Sequence, residues 1–474
     1  MANRRKSASL LICDSDTHFL QSLGSDSHAG QGPPMLTSTG KEAQLLIADD
    51  TNEIAGVFVS ANVVGEGLGP GWISVLRSVH QHRLATPVFF LADKGAPPPD
   101  ENLDNLGVQK TIYKPVSYPE IAKLVLPERI NFDPASLPDQ EGKSDEILNK
   151  EMSAEDDLFV PIRASTFIAG TKSFFDVYLR LLSGRYIKLL QIGDNFSAER
   201  IESYLKKGTS HFYLKKTAQA QYLDFCDQLT AQLIQSDNVS GQILVSRTLS
   251  QGEETLSFLR NYGISPQGMQ YASAFVGNVN AMVGKLQLEK NQTINSFLHD
   301  IAAADHGSAA VIVSGLLAKH LGITSDYATE VVGIAALLHD VGLYRLLPGV
   351  QGEDETQMTS AQKLIFQTHP IGGAKIMAGI QQLNQAVLQA VTQHHERRDE
   401  TGFPSHLGQG SINRIAEIVG ISDEIIRAIG RLKDKPDSTL EKEMKPSLVG
   451  FPAAIVEAFQ MVFFSAKYRG KAKS

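Results

Sequence analysis

The sequence predicts a multidomain protein: an N-terminal α/β unit of flavodoxin-like type, a small α+β unit in the middle, and an all-α unit after it. Three features point there. Residues 8–130 alternate short apolar runs with helical spacing, the pattern of a parallel sheet with crossover helices. From 158 to about 218, apolar and polar residues alternate as in half-buried strands. From Ile301 onward the spacing is helical with short breaks, and this region is rich in histidine: eight of the 13 histidines lie between His299 and His406.

In the first unit, strands are expected at Ser9–Cys13, Pro34–Thr37, Gly56–Ser60, Pro87–Ala92 and Lys110–Lys114. Helices are expected around Lys41–Asp50, Trp72–His82, Glu101–Leu106 and Pro119–Leu126. Five strands alternating with helices and ending in Tyr113-Lys114-Pro115 resemble the receiver domain of two-component signalling, over roughly a quarter of the chain. That resemblance implies a phosphoacceptor aspartate, yet Ser60 stands there. Asp14-Ser15-Asp16 supplies one acid where an acidic pair is usual, and Ala92 replaces the usual hydroxyl residue. A serine without an acidic cage cannot form an aspartyl phosphate. Residues 1–132 are therefore expected to be a pseudo-receiver that works through signalling-protein contacts or dimerisation, with an unrelated flavodoxin-like sheet as the alternative.

From Asp133 to Asp157, nine acids face two lysines, with prolines at 134 and 138, which reads as a solvated linker. Residues 158–290 are expected to hold the α+β module and connecting helices. Strands are read at Phe159–Ser165, Phe175–Leu181, Arg185–Ile192 and His211–Lys216, with a helix from an N-cap at Ser197 to a stop at Gly208. Helices then follow, with breaks near Asn238, Gly263 and Pro266. Asn278–Leu298 reads as one long connecting helix, either of the sort through which homodimers form or a plain core helix.

Composition narrows the function. The chain is 42% hydrophobic and 20% charged, as in globular proteins, and its net charge of −8 argues against DNA or RNA binding, which needs a basic face. Cys13 and Cys226 support neither a disulfide framework nor a thiolate zinc site, which fits a reducing cytoplasm. The first apolar run is too short for a signal peptide, and no run is long enough for a spanning helix.

Ala309–Gly322 and Glu330–Gly342 read as apolar helices, the second carrying His339 and Asp340 near its end. His369 precedes Pro370, and a further helix ends in His394-His395. With His306 these make five imidazoles and one carboxylate without thiolates, a donor set suited to Fe, Mn, Ni or Zn in hydrolysis. Adjacent helical residues point about 100° apart, so His339 and Asp340 share an ion only at the helix edge. The two oxygens of Asp340 can serve two ions.

The order of His306, His339-Asp340, His369-Pro370, then His394-His395-Glu396 with Asp399 and Gly402-Phe403-Pro404, resembles the HD-GYP family of metal-dependent phosphodiesterases. The resemblance runs from Ile294 to Arg431, and the joint occurrence of four spaced motifs makes it specific. It implies an all-helical domain (291–474) that hydrolyses cyclic di-GMP at two divalent transition-metal ions, Fe or Mn foremost. His306, His339, Asp340, His369, His394 and His395 would be ligands, with Asp340 as bridge and catalytic residue. Arg397, Arg398, Gly402, Phe403 and Pro404 would meet the substrate. Two neighbouring metals acidify a shared water and stabilise charge on the attacking and leaving oxygens.

The chain departs from that family at several positions. Leu343 stands where a phosphate-contacting lysine is usual. Gly420 stands where a carboxylate ligand is expected, with Asp423 a turn further as a weak substitute. Ala302 replaces a glutamate associated with a third metal, acidic Gly352–Met358 replaces a basic loop, and Phe403 lacks a hydroxyl. The expected function is foremost a cyclic di-GMP phosphodiesterase, or else a sensor or scaffold that binds nucleotide or protein and has lost turnover. Hydrolysis of another phosphorylated nucleotide is the third alternative, disfavoured by Gly402-Phe403-Pro404.

Overall fold

A computed structural model of the chain describes residues 9–25, 33–49, 52, 54–64, 70–82, 86–96, 103, 108–125, 156–167, 172–286, 291–346, 358–378, 380, 383–433, 435 and 437–468. Near the N-terminus, β1 (Ser9–Cys13), β2 (Met35–Thr37), β3 (Ile54–Ser60), β4 (Val88–Asp93) and β5 (Val108–Lys114) form one parallel sheet in the order β2-β1-β3-β4-β5. Chain order reverses beside β1, as in doubly wound sheets.

Side chains alternate across the strands. Leu10, Ile12, Phe58 and Phe89 pack with Tyr118 and Ile121 of α4 (Tyr118–Val125), while Leu11, Val57, Val59 and Phe90 pack with Trp72 and Val75 of α3 (Gly71–His82). Burial of both faces is why these strands read as continuous apolar runs. Helix α1 (Thr17–Ser25) joins α4 on its face, and α2 (Gly40–Ala48) joins α3. The Thr39 hydroxyl caps α2 by accepting from the Glu42 amide. The helix expected at Glu101–Leu106 lies outside the described residues apart from Leu103.

The second sheet is antiparallel in the order β6-β9-β7-β8, from β6 (Phe159–Arg163), β7 (Val177–Arg180), β8 (Tyr186–Leu190) and β9 (His211–Lys215). Helix α5 (Ala198–Lys206) packs Ile201 into its core, and Ser197 caps it by accepting from the Arg200 amide. The acidic segment expected as a linker is outside the described residues up to 155. Asp156 is not a free spacer residue: its carboxylate accepts from Arg180 and from the Tyr186 hydroxyl at 2.7 Å each.

The helices begin with α6 (Gln219–Gln235), α7 (Gly241–Tyr262), α8 (Pro266–Lys285), α9 (Asn291–Ala303), α10 (His306–His320) and α11 (Asp326–Leu338). They continue with α12 (Ser360–Phe366), α13 (His369–Met377), α14 (Gln385–Gln393), α15 (Arg414–Arg431), α16 (Leu440–Met444) and α17 (Ala453–Tyr468). One apolar cluster runs from Ile234 to Phe463, across the position where the connecting helices were expected to give way to the metal-binding unit. The single long helix expected over Asn278–Leu298 does not form. Leu286 leaves helical geometry (φ −67°, ψ 132°) to enter this core, and α9 starts afresh at Asn291. Helix α10 is buried nearly all round. Gly333 lets α11 lie close on α8, since a Cβ there would overlap Val276.

Glu254 on α7 is buried in this core. Burial, only partly offset by Arg247, pushes its carboxyl up to about 8 from 4.5. With the folded value above the unfolded one, the group's stabilising contribution is complete below about pH 4.5 and lost as pH rises through 8. About 1.4 kcal/mol accompanies each tenfold change in proton affinity. Glu254→Gln is thus expected to flatten the pH dependence of urea unfolding between pH 5 and 8 by a few kcal/mol. A wild-type-to-variant difference that stays constant with pH would refute this assignment.

Candidate metal centre

Four helix ends and one helix face converge on the centre. His306 opens α10, just after Asp305, whose carboxylate accepts from the Gly307 amide and pairs with Arg260 at 2.7 Å. His339 and Asp340 follow the last turn of α11, His369 opens α13, and His394-His395 follow α14. Asp423 comes from the middle of α15.

Three histidines share one local device. The Nδ1 of His339, His369 and His394 each lies 2.7 Å from the carbonyl three residues earlier, Ala336, Phe366 and Val391 respectively. A carbonyl only accepts, so Nδ1 carries the hydrogen and Nε2 is turned to the centre. Such outer hydrogen bonds fix the tautomer of a metal-binding imidazole.

Two groups of donors result. Asp340, His369, His394 and His395 form one, and His306, His339, Asp340 and Asp423 the other; within each group the donor atoms lie within 4.8 Å of one another. Asp340 belongs to both. Its Oδ1 is 3.1 Å from His369 Nε2 and 3.7 Å from His394 Nε2, while Oδ2 is 3.5 Å from His339 Nε2 and 3.7 Å from His306 Nε2. All six residues expected as ligands are therefore brought together.

His339 Nε2, Asp340 Oδ1, His395 Nε2 and Asp423 Oδ2 are buried with no hydrogen-bond partner. Orphaned polar atoms are costly, and those of His339, Asp340 and Asp423, residues of the two donor groups, fit the binding of divalent ions. His339 and His394 are pushed in opposite directions. Burial opposes protonation of His339, but Asp340 and Asp423 raise it to about 9. Burial, then the neighbouring His339 and His369, bring His394 down to about 4 against the pull of Asp340. Burial raises Asp340, but His339, His369 and His394 hold it well below the usual carboxylate range.

Residues 298–444 match the HD domain family. The C-terminal unit is an HD domain. Over 154 residues (32% of this chain) it is 24% identical to a cyclic di-GMP phosphodiesterase of Pseudomonas aeruginosa. Over 155 residues (30%) it is 28% identical to the cyclic di-GMP phosphodiesterase response regulator RpfG of Xanthomonas campestris pv. campestris. Over 175 residues (34%) it is 29% identical to a cyclic di-GMP phosphodiesterase of Thermotoga maritima. The chain spans 35%, 39% and 44% of the lengths of these relatives. The fold is similar to that of an HD-GYP-type protein from Bdellovibrio bacteriovorus, with a TM-score of 0.50, 19% identity, and coverage of 64% of this chain and 99% of that one.

Several expectations for the HD domain are corrected by its packing. Asp423, ranked as a weak substitute, lies in the centre with Oδ1 2.8 Å from His306 Nε2. Gly420 has no room for a carboxylate, since a Cβ there would overlap the His394 carbonyl oxygen. Arg397 and Arg398, expected at the substrate, are engaged elsewhere. Arg397 donates to the His394 and Glu396 carbonyls and lies 4.6 Å over the Phe451 ring. Arg398 pairs with Glu417 at 2.6 Å.

The remaining expected substrate residues shape the pocket around His395. A Cβ at Gly402 would overlap the Arg397 amide and the His395 carbonyl. Phe403 stacks on the His395 ring at 4.4 Å and precedes Pro404, which is half-buried. Leu343 is buried with Met358 and Phe366 in an apolar cluster beside Phe403. Of the acidic loop only Met358 is described, and it is buried in that cluster. His299, His320 and His406 are exposed and belong to neither donor group.

Sequence reasoning quoted Glu396 only as part of a motif, without a role, and passed over Arg427. Glu396 is buried and clamps the loop after it, accepting from the amides of Ser405 (2.6 Å) and Leu407 (2.8 Å). Arg427 enters the centre from α15, one turn after Asp423. The available signal was an Asp and an Arg four apart on an otherwise apolar helix face.

At the end of the N-terminal sheet, Lys114 Nζ lies 3.0 Å from both Asp14 and Asp93 and 3.3 Å from the Ser60 hydroxyl. The Asn62 amide also donates to Asp14 at 2.7 Å. Asp14 is thereby neutralised within the unit itself. No helix among the described residues is long and apolar enough to cross a membrane.

Proposed function

We propose that the HD domain is a metal-dependent phosphodiesterase acting on cyclic di-GMP. The observation that carries this is Asp340 facing a separate set of imidazoles with each oxygen, next to buried donor atoms that have no partner. Bound divalent ions would supply Lewis acidity toward a phosphodiester and acidify water. His306, His339, Asp340, His369, His394, His395 and Asp423 would hold them. The three locked Nδ1 hydrogens keep Nε2 of each ring aimed inward, so little reorganisation precedes binding. Phe403 and the cluster of Leu343, Met358 and Phe366 keep the flank of His369 and His395 apolar.

A second reading, nucleotide binding without turnover, is favoured by Leu343 and by the engagement of Arg397 and Arg398, which leaves fewer cations for phosphates. The N-terminal sheet serves, in either reading, as a contact unit for signalling proteins. Its support is Ser60 at the phosphoacceptor position beneath Lys114.

The test is anaerobic incubation of the full chain with Fe²⁺ or Mn²⁺ and cyclic di-GMP, with elemental analysis. Linear or fully cleaved product is expected. Bound metal and bound nucleotide without product would replace the enzyme by the binding module, and a metal-free, inert chain would end both readings.

A further inference from the structure

Arg427 stands inside the second donor group. Its Nε donates to Asp423 Oδ1 at 2.7 Å, and its Nη2 is 3.5 Å from Asp340 Oδ2. These are the oxygens that face His306 and His339: Asp423 Oδ1 is 2.8 Å and 3.9 Å from their Nε2 atoms, and Asp340 Oδ2 is 3.7 Å and 3.5 Å. Asp340 Oδ1 instead faces His369 and His394. The guanidinium also lies 5.4 Å over the Phe366 ring, so it is held from three sides.

An arginine stays charged at any working pH. The two carboxylates of the centre, Asp340 and Asp423, are side chains 17% and 1% exposed, so charges here are poorly screened. One divalent ion together with the guanidinium brings three positive charges against two negative ones. Two divalent ions bring five, and that excess in a buried pocket is strongly unfavourable. The guanidinium also gives Asp423 a partner before any metal arrives.

Resting on the proposal that these donor groups bind divalent ions, we infer that Arg427 is an internal competitor for the second cation. The folded chain takes one ion tightly at Asp340, His369, His394 and His395. It admits a second at His306, His339, Asp340 and Asp423 only as the guanidinium withdraws. Metal loading at the second group is thus set by an arginine of this chain's own helix.

The test titrates the metal-stripped full chain with Mn²⁺ by calorimetry, with metal content measured after desalting. Wild type is expected to hold one ion tightly and a second at least about tenfold more weakly, in the range by which neighbours of metal ligands alter affinity. Arg427→Met, which keeps the packing on Phe366 without the charge, should tighten the second ion by about 10- to 100-fold. Arg427→Gln repeats the measurement should the Met variant fail to fold. Two equally tight ions in wild type, or no change in either uncharged variant, would overturn the inference alone. A folded chain that binds no ion, with or without Arg427, would instead overturn the metal-centre reading on which it rests.

Discussion

Asp340→Asn is expected to lower metal content sharply and to reduce cyclic di-GMP hydrolysis by at least about a thousandfold. The carboxylate is the one donor common to both groups, so a single substitution weakens both at once. Metal Lewis acidity is worth several kcal/mol of transition-state stabilisation, and about 1.4 kcal/mol corresponds to each tenfold in rate. Asparagine keeps the volume, and Asp423 keeps its contacts with Arg427 and His306, so the metal-free variant should melt within a few degrees of wild type. Elemental analysis, turnover and thermal unfolding of the same preparation separate these effects. Normal metal content with normal turnover would remove Asp340 from the centre of the mechanism.

Gly420→Asp, which restores the carboxylate expected from the family pattern, should destabilise the HD domain instead of improving its site. The added Cβ would overlap the His394 carbonyl, and Arg397 Nη1 lies just behind at 3.4 Å. That carbonyl belongs to the backbone just past α14 and also accepts from Arg397, so it has little freedom to move. Overpacking of this kind costs roughly 3 kcal/mol or more, which for a unit of this size lowers the melting temperature by about 6–12 °C. Gly420→Ala should show most of the same loss, because the clash begins at Cβ. A fully stable Gly420→Asp protein that binds additional metal would return position 420 to the ligand set.

Much of the architecture was legible because it is written in local periodicity. The parallel strands read as apolar runs because both faces of the sheet are buried, and Ser197 and Gly208 bracket α5 as their chemistry requires. The six residues expected as ligands stand beside helix boundaries and their donor atoms come together, but it was the joint order of the motifs, as a resemblance, and not spacing, that set His339-Asp340 and His394-His395 apart from core residues. The long helix over Asn278–Leu298 misled for the opposite reason. Its helical spacing is continuous, yet burying Leu286 in the shared core turns the chain out of helical geometry.

The arginines show the same limit. Arg397 and Arg398 follow the histidine pair in sequence and read as phosphate partners, but Phe451 and Glu417 claim them from other elements. Arg427 drew no notice near the end of the amphipathic helix α15 and lies against both carboxylates.

The sequence by itself pointed to the layers, most of the helices and six of the residues whose donor atoms come together, because helix caps, strand alternation and side-chain chemistry act over a few residues. Tertiary structure decided which carboxylate completes the centre, why Gly420 must be bare, and where each arginine goes. His306 and Asp423 meet across 117 residues of chain. Contacts of that range depend on how α10, α11, α14 and α15 cross and how closely their backbones approach, and a one-dimensional pattern carries neither quantity.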